Sequence, residues 1–146
     1  KKHEIQPLLD KIFIQYNQKA DSKDLYLNTV KTDTTAVFDE KWTLEALCNI
    51  VDNAIKYTVT GGISINVIVY EFFVRIDISD TGIGISDNEH EKVFSRFYRS
   101  EKANTTEGVG IGLYRARKII TGENGYIKVS SLPEHGSTFS VFLSKL

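Results

Sequence analysis

The sequence predicts an α/β (α+β) two-layer sandwich, a mixed, mainly antiparallel sheet of about five strands with about three helices packed on one face. Two observations predict it. Helical-period and strand-like segments alternate along all 146 residues with no internal repeat, low-complexity tract or linker, so residues 1–146 read as one domain. Most of the strand-like segments also come in closely spaced pairs, as antiparallel hairpins do, while the helical segments are amphipathic and need a sheet to cover.

Taken in chain order, Leu8, Leu9, Ile12, Phe13 and Tyr16 recur at helical spacing to about Ala20, with Pro7 tolerated in the first turn, where its missing N–H is not needed. Leu25 to Val30 alternates polar and apolar residues, and Thr35 to Phe38 is a short β-prone run. Asp39 can then cap a helix running to about Tyr57. Gly61-Gly62 breaks the chain before Ile63 to Tyr70 and Phe72 to Asp80, which read as neighbouring antiparallel strands at the centre of the sheet. Beyond Gly82 a charged stretch leads to Phe94 to Tyr98 and a polar segment. A helix follows from about Ile111 to Ile120, ended by Gly122 and Gly125. Tyr126 to Ser131 and Ser137 to Leu143 close the chain as a hairpin across Leu-Pro-Glu-His-Gly.

Composition narrows the function. Eighteen basic and nineteen acidic residues give a net charge of −1, which argues against a broad footprint for nucleic acid or an anionic membrane. Any phosphate site must be local. The single cysteine, Cys48, lies among apolar neighbours and reads as core in a reducing compartment. No apolar run approaches the roughly 20 residues that cross a bilayer. The chain starts without methionine and enters an amphipathic stretch with no capping signal, so it reads as a domain excised from a longer protein.

Three constellations carry chemistry. Asn49, Asn53 and Lys56 are spaced i, i+4, i+7 and fall within about 60° on one helix face, opposite Leu44, Leu47, Val51, Ala54 and Ile55. A solvated face would account for a lone lysine, but asparagine is a poor helix former, and two of them one turn apart are unusual there. An amide oxygen suits a hard cation such as Mg²⁺, and an ammonium suits phosphate. The second constellation is Asp80-Thr81-Gly82-Ile83-Gly84-Ile85. Asp80 continues the buried phase of Val74, Ile76 and Ile78, where a carboxylate needs a donor such as a purine's exocyclic amine. An Asx turn that closes the strand explains this segment equally well. The third is Gly108-Val109-Gly110-Ile111-Gly112-Leu113, alternating glycines that open a helix and leave N–H groups free to cradle phosphate. Glycine-rich turns also arise for steric reasons alone. The spacing is neither G-x-G-x-x-G nor G-x-x-x-x-G-K-[ST], so dinucleotide-fold and P-loop readings both fail.

In this order, with an aromatic segment between the second and third, these motifs resemble the catalytic domain of bacterial sensor histidine kinases. That family belongs to the superfamily of gyrase, chaperone, histidine kinase and mismatch-repair ATPases. Asn49 to Thr58 is similar to the family's N box, Asp80 to Gly84 to its first glycine box, and Phe94-Ser-Arg96-Phe-Tyr-Arg99 to its F box. Gly108 to Leu113 is similar to the second glycine box, and Gly136-Ser-Thr138-Phe139 to the final glycine motif. The resemblance spans nearly the whole chain.

It implies that ATP and Mg²⁺ bind, with Asn53 on the metal, Asn49 and Lys56 near the phosphates and Tyr57 against the nucleotide. Asp80 would accept from the adenine amine with Thr138 in support, while Gly82, Gly84 and Ile85 flank it. Gly108, Gly110, Gly112 and Leu113 would close over the phosphates, and residues 100–107 read as a mobile lid. Arg99 first, then Arg96, would neutralise the γ-phosphate during transfer.

Superfamily ATPases that hydrolyse ATP carry a glutamate where this chain has Asn49, and an amide takes no proton, so transfer to an external acceptor is expected. Glu45, one turn earlier, remains a possible base. His3-Glu4-Ile5-Gln6-Pro7-Leu8 is superficially similar to the family's phosphoacceptor H box. Its proline comes one residue too early, however, so His3 is expected to be fortuitous, with His90 and His135 solvated.

The resemblance therefore implies the ATP-dependent half of a protein-histidine kinase in two-component signalling. The acceptor histidine would lie on a separate dimerisation domain of a homodimeric protein anchored in the bacterial inner membrane, and a response regulator, not nucleic acid, would be the downstream partner. An anti-sigma-factor-type serine kinase and a non-catalytic ATP-binding sensor domain are the alternatives.

Overall fold

The structure, a computed structural model, describes residues 1–85, 89–90, 92–95, 112–131 and 134–146. Strand β1 (Lys2–Glu4) leads into helix α1 (Gln6–Asp21), followed by β2 (Tyr26–Asn28), β3 (Thr35–Val37), α2 (Glu40–Lys56), β4 (Gly62–Val69) and β5 (Phe73–Asp80). A 3₁₀ turn at Lys92–Phe94, α3 (Gly112–Gly122), β6 (Tyr126–Ser131) and β7 (Ser137–Ser144) complete the described chain. Among the described residues, five strands form the main sheet in the order β2-β4-β5-β7-β6. Only β2 runs parallel to its neighbour β4, and the other pairings are antiparallel. The mixed sheet with three helices is thus the predicted class, with β5 rather than the β4–β5 pair as a whole at its centre.

Local chemistry explains the helix that matters most. Asp39 has extended backbone and accepts from the Trp42 N–H at 2.9 Å, so it caps α2 where expected. A second acid supports the same end: the Glu123 carboxylate, from just beyond α3, accepts from the Asp39 N–H and from the hydroxyl of the fully buried Thr43. One side of α2 then buries Leu47, Ile50, Val51, Ala54 and Ile55 against the sheet. The inward phase of the sheet supplies Ile63 and Ile65, Val74, Ile76 and Ile78, and Phe139, Val141 and Leu143 to the same core. Cys48 is buried in that core, as predicted, and burial pushes its thiol up to about 11, which keeps it protonated.

One element was absent from the sequence reading. Lys2–Glu4 pairs antiparallel with Thr35–Val37 in a small separate sheet, placing His3 opposite Ala36. No described helix is long and apolar enough to cross a membrane.

Candidate functional site

The central strand β5 ends in Asp80, whose cross-strand partners are Ile63 on β4 and Ser137 on β7. Partners across a ladder share a sheet face, so Asp80 and Ser137 both continue the phase that faces the helices. Asp80 Oδ1 accepts from the Gly82 N–H at 2.9 Å and from the Ser137 N–H at 3.2 Å. Burial pushes this carboxyl above the usual carboxylate range, and the two backbone donors offset that only in part. The bond to Gly82 is the Asx turn allowed for from the sequence. It uses one oxygen only.

The loop after Asp80 is fixed against three other parts of the chain. Ile83 donates to the Tyr57 carbonyl at the end of α2, Ile85 donates to the Ser131 hydroxyl at 2.7 Å, and Glu134 donates to the Ile83 carbonyl. Ser131 in turn donates to the Gly136 carbonyl and lies 3.0 Å from the Ser137 hydroxyl. Two glycines are required by close approach. A Cβ at Gly82 would sit 2.4 Å from the Tyr57 carbonyl oxygen, and one at Gly136, where φ is +82°, would sit 2.1 Å from the Asp80 carbonyl oxygen. Gly84 also has positive φ.

The α2 face comes next. Asn49 and Asn53 are half-buried and Lys56 is exposed, the gradient expected of a face that borders a cleft. The amide nitrogen of Asn49 is buried and has no hydrogen-bond partner among the described residues. Gly112, the first residue of α3, lies against it, since a Cβ there would be 3.8 Å from the Asn49 Cβ. The start of α3 therefore adjoins an amide donor with no partner among the described residues, and a donor of this kind suits an anion. Tyr57 ends α2, half-buried, with its N–H on the Asn53 carbonyl. Leu113 is buried, and Ile85 packs on the edge of the core.

Thr138 must be reassigned. It lies opposite Ser79, with the two hydroxyls 2.9 Å apart, and so faces away from Asp80 on the other side of the sheet. The residue beside Asp80 is Ser137, which the sequence reading passed over. The apolar phase of Phe139, Val141 and Leu143 was the signal that could have found it. Phe94 is buried edge-on against Phe139 with the Arg117 guanidinium over its ring, so it is a core aromatic. Arg96, Arg99, Gly108, Gly110 and the lid at 100–107 lie outside the described residues.

The histidines are not gathered at this site. His3 lies 3.5 Å from Glu40 and against the Phe38 ring. That is the opposite end of α2 from Lys56, about 24 Å away at 1.5 Å per residue. His135 is exposed, whereas His90, expected to be solvated, is half-buried with its ring nitrogen 3.2 Å from the Ile85 carbonyl oxygen.

The half-buried Asp80 carboxylate at the end of β5 thus leads into a loop that docks on the end of α2, and the start of α3 lies against Asn49 on that helix. Comparison with known proteins gives that site a family. The family of histidine kinase-, DNA gyrase B-, and HSP90-like ATPases matches residues 38–146. The chain belongs to this ATPase family.

Its sequence relatives include the adaptive-response sensory kinase SasA of Microcystis aeruginosa, 36% identical over 139 residues, which span 92% of this chain and 36% of that protein. The sensor-like histidine kinase SenX3 of Mycobacterium tuberculosis is 32% identical over 98% of this chain and 36% of its own length. The chain thus spans about a third of these relatives. Among solved structures, the mycobacterial sensor histidine kinase MprB superposes with a TM-score of 0.86 at 20% identity, covering 99% of this chain and 97% of that one. The catalytic domain of histidine kinase ThkA gives 0.84 at 25% identity, again covering 99% and 97%.

Membership in this ATPase family sharpens one local comparison. Glu45, the possible base one turn before Asn49, is held by the Arg115 guanidinium on α3 through Nε at 3.0 Å and through NH2. The pair ties the carboxylate one turn before Asn49 to α3.

Proposed function

We propose that this member of the ATPase family is the catalytic domain of a sensor histidine kinase. It binds Mg²⁺-ATP and delivers the γ-phosphoryl group to a histidine on a separate dimerisation domain. The observation that carries this reading is the buried amide nitrogen of Asn49, without a partner among the described residues and close to the first residue of α3, where superfamily relatives that hydrolyse ATP carry a glutamate. An amide there can bind but cannot activate water, and Arg115 pairs with the carboxylate of Glu45 one turn earlier. The chain therefore holds the phosphates and leaves the nucleophile to a partner.

The residue roles follow from position. Asp80 accepts from the adenine amine through the oxygen that its backbone donors leave open, Gly82 lets the backbone approach, and Gly84 and Ile85 line the base side. Tyr57 lies against the nucleotide at the end of α2. Asn53 offers its amide oxygen to Mg²⁺, which neutralises phosphate charge when bound, and Asn49 and Lys56 face the phosphates. Gly112 and Leu113 open α3 toward the phosphates; by the family resemblance alone, Gly108 and Gly110 would join them and Arg99, followed by Arg96, would stabilise charge during transfer. In the parent protein the partners are a dimerising phosphoacceptor domain, a second copy of the chain and a response regulator, with anchorage in the bacterial inner membrane.

The test mixes the chain with γ-labelled ATP and a dimerisation domain bearing the histidine. Acid-labile label should appear on that domain and only when this chain is present. Label on His3, His90 or His135, or acid-stable label on a serine of the acceptor, would overturn the reading.

A further inference from the structure

The end of α1 grips the α2 face that carries the phosphate-facing residues. Lys19 donates to Asp52 Oδ1 at 2.5 Å, and Lys56 lies 3.3 Å from Asp52 Oδ2, so one carboxylate holds an ammonium on each oxygen. Lys23, one turn further along the chain, donates to the Ile55 carbonyl at 2.6 Å and reaches that of Lys56. It thereby satisfies acceptors that the last turn of α2 would otherwise leave open. Burial alone would raise the Asp52 carboxyl, but the bond and charge of Lys19, then those of Lys56, hold it below the usual range.

Helix geometry shows what this does to Lys56. A side chain leans toward the N-terminus of its helix, and an i, i+4 ion pair draws the ammonium back by about one turn, to the level of residues 52 and 53. Asn53 is at that level, about 100° further round the helix from Asp52. Without the carboxylate, a four-carbon stem on the exposed end of α2 samples many rotamers.

We propose that Asp52 is a positioning residue: it draws the Lys56 ammonium back along α2 to the axial level of Asn53, ready for phosphate, and Lys19 of α1 anchors the carboxylate that does so. This rests on the phosphate-facing role proposed for Lys56. It has an opposite in simple electrostatics. Asp52 subtracts a charge from a phosphate site, so if charge alone counted, its removal would tighten ATP binding. Positioning requires the reverse.

The experiment measures Mg²⁺-ATP and adenosine affinity by calorimetry, with thermal melting alongside. Asp52→Asn should weaken ATP about threefold to tenfold, the range of a partly exposed ion pair, and leave adenosine within about twofold. In a Lys56→Met background the same change should alter ATP by less than about twofold, because its route of action is gone. The paired exchange Lys19→Asp with Asp52→Lys re-forms the α1–α2 bridge and should restore the melting temperature but not ATP affinity. If Asp52→Asn leaves ATP unchanged or tighter while Lys56→Met weakens it, the proposal fails and the phosphate role of Lys56 stands. Should the exchange restore ATP binding, Asp52 is only a tether between helices, and the proposal again fails. A Lys56→Met chain that binds ATP normally removes the phosphate role itself, and the proposal with it.

Discussion

Asp80→Asn is the substitution whose outcome the geometry fixes most tightly. Oδ1 of the carboxylate accepts from two backbone donors, Gly82 at 2.9 Å and Ser137 at 3.2 Å. An asparagine must place its oxygen there, because the alternative sets its NH₂ against two N–H groups. Its amide nitrogen then takes the position of Oδ2 and points at the base. For adenine this replaces a charged acceptor, worth about 1.5–3 kcal/mol, with a donor facing a donor, which leaves groups unsatisfied at about 1–3 kcal/mol. The smallest sum, about 2.5 kcal/mol, is roughly 70-fold in Kd. Guanine presents a carbonyl at the same ring position and accepts from the new NH₂, so the preference for ATP over GTP should narrow at least about tenfold. Stability should move the other way. Burial raises the Asp80 carboxyl, so the folded state binds that proton more tightly than the unfolded chain. Stability from this group is therefore greatest below its unfolded value near pH 4, declines as pH rises through the raised folded value, and stays reduced at neutral pH. The neutral amide escapes that loss, and the nucleotide-free variant should melt no lower than the parent at pH 7. Calorimetry with ATP and GTP, paired with melting curves from pH 4 to pH 8, checks all three. An ATP affinity within threefold of the parent, or an unmoved ATP:GTP ratio, refutes the assignment of Asp80 to the base.

Three further substitutions test neighbouring parts of the argument. Gly82→Ala drives a Cβ to 2.4 Å from the Tyr57 carbonyl oxygen, so it should destabilise the domain by about 1–3 kcal/mol and weaken adenosine as well as ATP; a melting curve identical to the parent's contradicts this. Asn53→Ala should reduce Mg²⁺-dependent ATP binding more than metal-free binding, and equal losses measured with and without metal would remove Asn53 as the metal ligand. Glu123→Ala strands the hydroxyl of buried Thr43 and the Asp39 N–H, at a cost of about 1–3 kcal/mol in chemical denaturation; ATP affinity, set by residues at least about 9 Å further along α2, should hold within about twofold.

Much of this was legible because it is local. Asp39 is a cap by chemistry alone, and Asn49, Asn53 and Lys56 share a face by the helical period, so both were readable before any contact was known. Asp80 was readable as facing inward because strand phase carries through Val74, Ile76 and Ile78. What escaped depends on pieces distant in sequence. Lys2–Glu4 is a three-residue strand, too short to show a period, and it exists only because Thr35–Val37 lies beside it. The parallel pairing of β2 with β4 leaves no hairpin signal. Glu45 with Arg115 and Lys19 with Asp52 are 70 and 33 residues apart, and nothing in either segment names its partner. Thr138 was misplaced by one residue, which in a strand means the opposite face. Family resemblance pointed at the motif, but strand phase decides that Ser137, through its N–H, and not Thr138 meets Asp80.

The same contrast separates the two ends of the site. At the proposed base end, Asp80, Gly82, Ile85, Ser131, Gly136 and Ser137 are joined by one network of hydrogen bonds, beside strands whose inward residues are almost completely buried. A ligand meets fixed geometry there, and little ordering is charged against its affinity. At the phosphate end, the described residues are side chains on one helix face and the start of another, with Asn49 unsatisfied and Lys56 held only by Asp52. Selectivity for the base and readiness for the phosphates are thus built by different means. The first is written into sheet register and glycine clearance, which a single methyl group disrupts. The second rests on a few polar side chains that α1 and α3 hold in place, and these can be adjusted without unfolding the sheet.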